Sequence, residues 1–255
     1  VSYSNIGENF NPTVGFTPRN DFQRAAGSIG YQWFPRSRLI NRHGPGAETE
    51  TLWNETLGVT DELHTLFYRI QFQSLSTITM AVSNRYTYLF FPFDPTRTGG
   101  KALESGTDYR NTFFRMNFFT NPRNSFFVSG RTEIGEYFTG NIMTLAGSGN
   151  YRYGYRANIS MNFSFNRIRL PEPQSSADLF LIGPRIDLTF SKSLFWTTFV
   201  QYNNQIDNLN INTRLQWRYA PVSDFFFVYT DNYFPTTFIS KQRALIAKWT
   251  YWLNL

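Results

Sequence analysis

The sequence predicts an all-β fold: an antiparallel up-and-down transmembrane β-barrel of about 14 strands, in one outer-membrane barrel domain covering residues 1–255. Three observations carry that expectation. Apolar and polar residues alternate with a period of two along most of the chain, as they must when successive side chains point to opposite faces of a strand. The connections between the alternating segments are short and long in turn. Aromatic residues make up 19% of the chain, with 27 Phe, yet mean hydropathy is −0.37. A soluble globule buries its aromatics among many aliphatic residues; a membrane barrel sets them against lipid and gives alternate positions to polar groups facing the lumen.

Several classes fall away on composition. No apolar run approaches the roughly 18–20 residues of a membrane-spanning helix, so a helical membrane protein is excluded. The absence of Cys removes disulfides, thiolate chemistry and zinc–thiolate sites. The net charge is +6 and the pI about 9.5, but Lys and Arg are scattered singly, so nucleic acid is not an expected partner. Val1 is not followed by a basic region and apolar core of the secretory type. The sequence is therefore expected to be a mature form or part of a longer protein.

In chain order, residues 1–6 read as a short extended segment, and the Gly-, Pro- and Asn-rich stretch 7–21 as a loop. Residues 22–34 form a strand with Ile29, Tyr31 and Trp33 on one face. Residues 38–54, interrupted by Gly44-Pro45-Gly46, read as one long bulged strand. Leu66, Tyr68, Ile70 and Phe72 then oppose Phe67, Arg69, Gln71 and Gln73, and after a turn at 74–76, Ile78, Met80 and Val82 oppose Thr79, Ala81, Ser83 and Arg85. Residues 91–106 form the longest polar connection. Phe114, Met116 and Phe118 oppose Phe113, Arg115 and Asn117 before the turn Asn121-Pro122-Arg123-Asn124. Phe126, Val128 and Ile134 oppose Phe127, Ser129, Arg131 and Glu133, and a turn near Thr139-Gly140 leads into 142–149. Ile159, Met161, Phe163 and Phe165 alternate with five Asn and Ser residues, and 171–176 is a loop. Ile186, Leu188 and Phe190 oppose Arg185, Asp187 and Thr189, and a strand over 194–202 follows. Leu209, Ile211, Thr213, Leu215, Trp217 and Tyr219 oppose Asn210, Asn212, Arg214, Gln216 and Arg218. A turn at 220–223, a strand from Asp224 to Thr230 and a loop over 231–241 lead to the last strand.

That last strand resembles the C-terminal targeting strand of bacterial outer-membrane barrels. Lys248, Trp249, Tyr251, Leu253 and Leu255 carry the likeness, while Thr250 stands where Gly is usual and the final residue is Leu rather than an aromatic. With its end in the periplasm, the turns at 35–37, 74–76, 120–124, 151–155, 191–193 and 220–223 fall on the periplasmic side. The connections at 7–21, 56–61, 92–106, 170–177, 203–207 and 231–241 fall outside, the usual asymmetry of such barrels.

Three stretches together resemble one family. They are residues 6–19 (Ile-Gly-Glu-Asn-Phe-Asn-Pro-Thr-Val-Gly-Phe-Thr-Pro-Arg), residues 30–35 (Gly-Tyr-Gln-Trp-Phe-Pro), and the long block from Phe199 to Tyr229. The family is an uncharacterised outer-membrane β-barrel domain of Gram-negative bacterial proteins that follows a domain similar to family-nine carbohydrate-binding modules. The resemblance implies that this chain is the C-terminal part of a larger barrel, with a link to glycan capture, and it supplies no catalytic residues. Whether the barrel closes within this chain is left open.

The lumen-facing basic residues are Arg69, Arg85, Arg115, Arg131, Arg185, Arg214, Arg218 and Lys248, against Glu133 and Asp187 on the same phased strands. They would favour anionic solutes if unpaired; the weightier alternative is that they pair across strands and merely hydrate the lumen. A loop with Tyr202, Asn203, Asn204 and Asp207 has the amides and aromatic that suit a sugar, and is weighed behind an ordinary turn. His43 and His64, on neighbouring strands, could meet near the outer half of the wall, but no nucleophile motif accompanies them, and they fall short of a metal-ligand set. No cofactor is expected.

The expected function is a non-enzymatic outer-membrane barrel with long loops outside. It would act as a solute passage or as the membrane anchor of a surface assembly. The alternatives are a structural barrel scaffolding protein or lipoprotein partners and, behind it, an outer-membrane hydrolase. Expected partners are outer-membrane lipid and lipopolysaccharide, the barrel-assembly machinery during insertion, a surface protein or lipoprotein, and a glycan.

Overall fold

The computed structural model describes residues 1–11, 14–15 and 20–253; Leu255 and part of the 6–19 stretch lie outside the described residues. Fourteen strands follow one another: β1 (Ser2–Ile6), β2 (Phe22–Gly30), β3 (Ile40–Asn54), β4 (Gly58–Phe72), β5 (Thr77–Tyr88), β6 (Asp108–Phe119), β7 (Phe126–Tyr137), β8 (Gly140–Tyr153), β9 (Ala157–Arg169), β10 (Ala177–Thr189), β11 (Leu194–Asn203), β12 (Asn208–Ala220), β13 (Ser223–Tyr233) and β14 (Ser240–Trp249). They form a single antiparallel sheet in sequence order, the up-and-down arrangement expected. β1 and β14 are its edges, and among the described residues neither has a second partner. Closure into a barrel is therefore not part of the observed fold. Contacts gather the chain into two compact units: residues 1–118, 131–144 and 167–177 in the first, and 119–130, 145–166 and 178–255 in the second.

Most boundaries agree with the alternation, and the differences have local causes. β2 ends at Gly30, but pairing continues through the isolated bridge between Trp33 and His43. β3 is long and bulged as expected, with register shifts between Ile40 and Arg42 and between Leu52 and Trp53. Gly44 permits the bridge: a Cβ there would sit 1.9 Å from the Tyr31 carbonyl oxygen. The connection expected at 56–61 shrinks to 55–57, because Asn54 Oδ1 accepts from the backbone N–H groups of Thr56 (2.8 Å) and Leu57 (3.1 Å), and Gly58 takes a positive φ of 72°. The loop expected over 231–241 likewise shrinks to 234–239. The final strand ends at Trp249 rather than at the C-terminus, although Thr250 still exchanges backbone bonds with Asp224 at 2.9 and 3.1 Å.

Connections leave the strands alternately on two sides. One side holds 7–21, 55–57, 89–107, 138–139, 170–176, 204–207 and 234–239. The other holds 31–39, 73–76, 120–125, 154–156, 190–193, 221–222 and the end of β14. The two longest fall on the first side, but 55–57 and 138–139 are tight turns there, and 31–39 is long for the second. At the 138–139 turn Phe138 has φ 50°. Asn111 holds that conformation, its Nδ2 donating to the Phe138 carbonyl and its Oδ1 accepting from the Phe138 N–H, both at 2.9 Å.

The strand register sorts side chains onto two faces, because directly paired residues share a face. In the first unit one rung reads Ile29, Ala47, Leu66, Val82, and the opposite face reads Ser28, Glu48, Thr65, Ser83. In the second unit a rung reads Leu188, Trp196, Leu215, Phe227, Ala247, and the opposite face reads Asp187, Thr197, Arg214, Val228, Ile246. The apolar side chains are not covered: Leu66 is 69% exposed, Trp217 48% and Leu245 65%. Among the described residues only six hydrophobic side chains are buried, Ala81, Leu89, Leu103, Phe113, Ile168 and Leu170. A water-soluble chain of this length buries roughly 70–75% of its unfolded surface. This one leaves its aromatic and aliphatic face bare.

Candidate functional site

All eight basic residues picked out by alternation lie on the polar face of their unit. Arg69 pairs with Thr79, and Leu63 with Arg85, on β4 and β5; Arg185, Arg214, Arg218 and Lys248 share one face of β10, β12 and β14. Their environments differ. Arg185 grips Asp187 through Nε (2.9 Å) and Nη2 (2.9 Å), and Thr197 donates to the same carboxylate. Arg218 Nε stands 3.4 Å from Asp224. Arg69 lies over the Phe67 ring at 5.3 Å, and that ring covers Gly46, where a Cβ would meet it at 2.2 Å. Among the described residues Arg69, Arg85, Arg214 and Lys248 have no carboxylate within 4.0 Å. Pairing within strands (Arg185, Arg131) and across them (Arg115, Arg218) thus satisfies part of the set and leaves the rest without a carboxylate partner.

The densest group sits on β5, β6 and β7. Glu133, nearly buried, accepts from Arg115 Nε at 3.1 Å and from Arg131 Nη2 at 2.6 Å, both on its Oε2. Two guanidinium groups lie over the ring of Phe113, a residue 3% exposed, with Arg85 Cζ 4.8 Å and Arg115 Cζ 5.2 Å from its centroid. Each contact is a cation–π geometry. Gly135 makes the close approach of β7 to Phe113 possible, since a Cβ there would lie 2.5 Å from the Phe113 Cα. Alternation placed these residues on one face; their convergence on one ring and one carboxylate needed the register.

The polar face is not uniformly polar. Phe195, Phe199, Phe226 and Val228 lie on it, paired with Gln216, Asn212 and Arg214. Conversely, two polar groups stand on the apolar face, toward the ends of the strands that carry the longer connections. In the first unit Arg110 donates to Glu62 (2.7 Å) and Asn84 (2.9 Å), and Asn84 donates to Thr112 (3.0 Å). In the second, Asp231 accepts from Arg243 Nε (2.5 Å), Ser240 (2.6 Å) and the Tyr229 hydroxyl (2.9 Å). The Asp231 side chain is wholly covered, enclosed by its own hydrogen-bonding neighbours rather than by a core. Neither group is legible in the alternation: Asp231 and Ser240 fall in the loop expected over 231–241, and Glu62 and Arg110 lie before the segments it phases.

Other candidates resolve as follows. Asn204 has both ends of its amide occupied by backbone, accepting from Phe180 N–H (2.5 Å) and donating to the Asp178 carbonyl (2.8 Å). Asn203 accepts from Gln205 N–H, Asp207 takes φ 46°, and the Tyr202 ring lies 6.2 Å from that of Phe180. These are turn contacts. His43 pairs with Ile70 and His64 with Thr49, six residues apart along β3 and β4, so the two histidines do not meet. His43 instead stacks between Trp33 (5.5 Å) and Tyr68 (5.9 Å), and His64 Nδ1 stands 2.8 Å from the Thr49 hydroxyl. Lys248 lies opposite Phe226, and Trp249 opposite Phe225; Tyr251 and Leu253 are exposed beyond the strand.

One organised loop was read from sequence only as polar. In 89–107, Asp94 Oδ1 accepts from the Thr96 N–H (2.9 Å) and hydroxyl (2.6 Å), and Oδ2 from the N–H groups of Thr98 (3.0 Å), Gly99 (3.0 Å) and Gly100 (3.1 Å). Desolvation pushes this carboxyl up, but the Thr96 hydroxyl and the Thr96, Gly100 and Thr98 amides outweigh it and hold it below its ordinary value.

No protein family, no curated protein and no solved structure matches the chain.

Proposed function

We propose that the chain is a non-enzymatic transmembrane β-barrel, or the C-terminal part of one, in the outer membrane of a Gram-negative bacterium. In this reading the bare apolar face contacts lipid and lipopolysaccharide, and the arginine-bearing face lines a lumen. The end of β14 is periplasmic and the loops 7–21 and 89–107 are outside. The observation that carries it is the inversion of burial: aliphatic and aromatic rungs such as Trp196–Leu215–Phe227 are exposed on one face of the sheet. Bilayer is the solvent in which such a face is favourable, and paired strands leave few backbone groups unsatisfied there. All strands but β1 are 9–15 residues long, near or above the roughly 9–11 that cross the hydrocarbon core obliquely.

Within that reading the barrel serves as a solute passage or as the membrane anchor of a surface assembly, inserted by the barrel-assembly machinery. The link to glycan capture, and to a sugar-binding-like domain ahead of the chain, rests on the sequence resemblance alone. Refolding into lipid vesicles followed by planar-bilayer recording tests the reading. Protected insertion with current supports a passage, and insertion without current supports an anchor that scaffolds protein or lipoprotein partners. Failure to insert into any lipid overturns the membrane reading altogether.

A further inference from the structure

We propose that Arg85, Arg115 and Arg131, organised around Phe113 and Glu133, form a binding site for an oxyanion, the carboxylate or phosphate group of a small solute. The inference rests on the barrel reading only in so far as that reading puts the polar face in water.

Charge is the first ground. Three guanidinium groups are gathered by one carboxylate and one ring, Arg115 and Arg131 on Glu133 and Arg85 and Arg115 over Phe113, which leaves a local excess of two positive charges. Glu133 engages Arg115 and Arg131 through a single oxygen, Oε2. Each of those arginines therefore has further N–H groups beyond the bond that orients it. Arg85 has no carboxylate within 4.0 Å among the described residues; what fixes it is the Phe113 ring at 4.8 Å. Stacking on a ring face uses none of its five N–H donors.

Preorganisation is the second ground. An arginine free in solution loses side-chain entropy when it closes on an anion. Here that freedom is already restricted, in Arg115 by both the ring and Glu133, in Arg131 by Glu133 and in Arg85 by the ring. Phe113 itself is 3% exposed, and its backbone and Cβ lie close against β7 where Gly135 has no side chain. The third ground is selectivity. Planar forked donors match the two oxygens of a carboxylate or phosphate, which a spherical halide cannot use. A pair on the polar face of the second unit, Arg185 with Asp187, is matched one to one and shows no such excess.

The test is titration of inorganic phosphate, by calorimetry at low ionic strength, into the refolded full chain in uncharged detergent micelles. Saturable binding is expected in the wild type. R85Q should weaken it about tenfold, the loss of one charge-assisted contact, whereas R214Q, on the same kind of face but outside the cluster, should leave it unchanged. Heat-modifiable electrophoretic mobility reports whether each variant is folded; should R85Q not fold, R131Q, whose side chain is half exposed, takes its place with the same expectation. Absence of saturable binding, or an equal loss in R214Q, overturns the site. Binding in micelles needs no pore, so a protein that binds phosphate but carries no current retains the site and loses the passage, and one that conducts without binding does the reverse.

Discussion

The Nε of Arg243 donates to the carboxylate of Asp231 across 2.5 Å, and this ion pair stands on the apolar face of the sheet, not the polar one. Breaking such a pair on one side leaves an uncompensated charge, whereas replacing both partners by apolar groups is often tolerated. D231A should therefore lower the temperature at which the refolded protein loses its compact electrophoretic mobility by a few degrees. The double variant D231L/R243L should recover most of that loss. A double variant no better than D231A would show that Ser240 and Tyr229, rather than the charge pair, make the cluster matter.

A second prediction separates the two faces within a single strand. On β12, Leu215 lies on the rung with Trp196 and Phe227, and Asn212 pairs with Phe199 and Thr230 on the other face. L215R should destabilise the protein in lipid vesicles by about 2–4 kcal/mol, the cost of a cation near the bilayer midplane. N212R should change the urea midpoint little. Equal effects of the two substitutions would count against lipid contact at Leu215.

The third concerns the bridge that extends β2. Because a Cβ at Gly44 would collide with the Tyr31 backbone, G44A should cost about 1–3 kcal/mol, the usual range for overpacking that the backbone must absorb. G7A is the control, with nothing within 4 Å of its added atom. Chemical unfolding of both variants checks the difference.

The fourth is a pH dependence in the 89–107 connection. The Asp94 carboxyl is held below its ordinary value, so its contribution is fully present above the unfolded aspartate value of about 3.9 and is lost as pH falls through the lower folded value. Amide resonances of Thr98, Gly99 and Gly100 should stay constant from neutral pH down to that range and shift together below it. D94N should abolish the common titration. Independent midpoints for the three amides would mean that they do not share one acceptor.

Alternation made the strands legible because a one-layer sheet has no other residue period to obey. Leu66 against Phe67, or Leu215 against Arg214, could be phased from neighbours two positions away. It said little where backbone chemistry decides. Asn54 tightens one turn and Asn111 another through side-chain bonds to main-chain groups, and neither leaves a mark in the hydrophobic pattern. The arginine cluster was half legible. Alternation puts Arg85, Arg115 and Arg131 in the polar phase, but that Arg115 and Arg131 share Glu133 and that Arg85 meets Phe113 depends on register across three strands, a long-range property that period two cannot supply. Alternation gives Phe113 only a face; its contact with two cations follows from the 4.8 and 5.2 Å distances.

Thr96, Thr98, Gly99 and Gly100, the donors to the Asp94 carboxylate, all lie within six residues of it along the chain. The Asp231 cluster spans two strands and exists only after β13 and β14 have paired. Loop closure over so few residues takes tens of nanoseconds, orders of magnitude faster than hairpin formation. Residues 94–100 can therefore close their turn while the flanking strands are still unpaired. The turn's contacts are those of a local unit of about seven residues, of the low sequence separation that forms early because little loop-closure entropy opposes it.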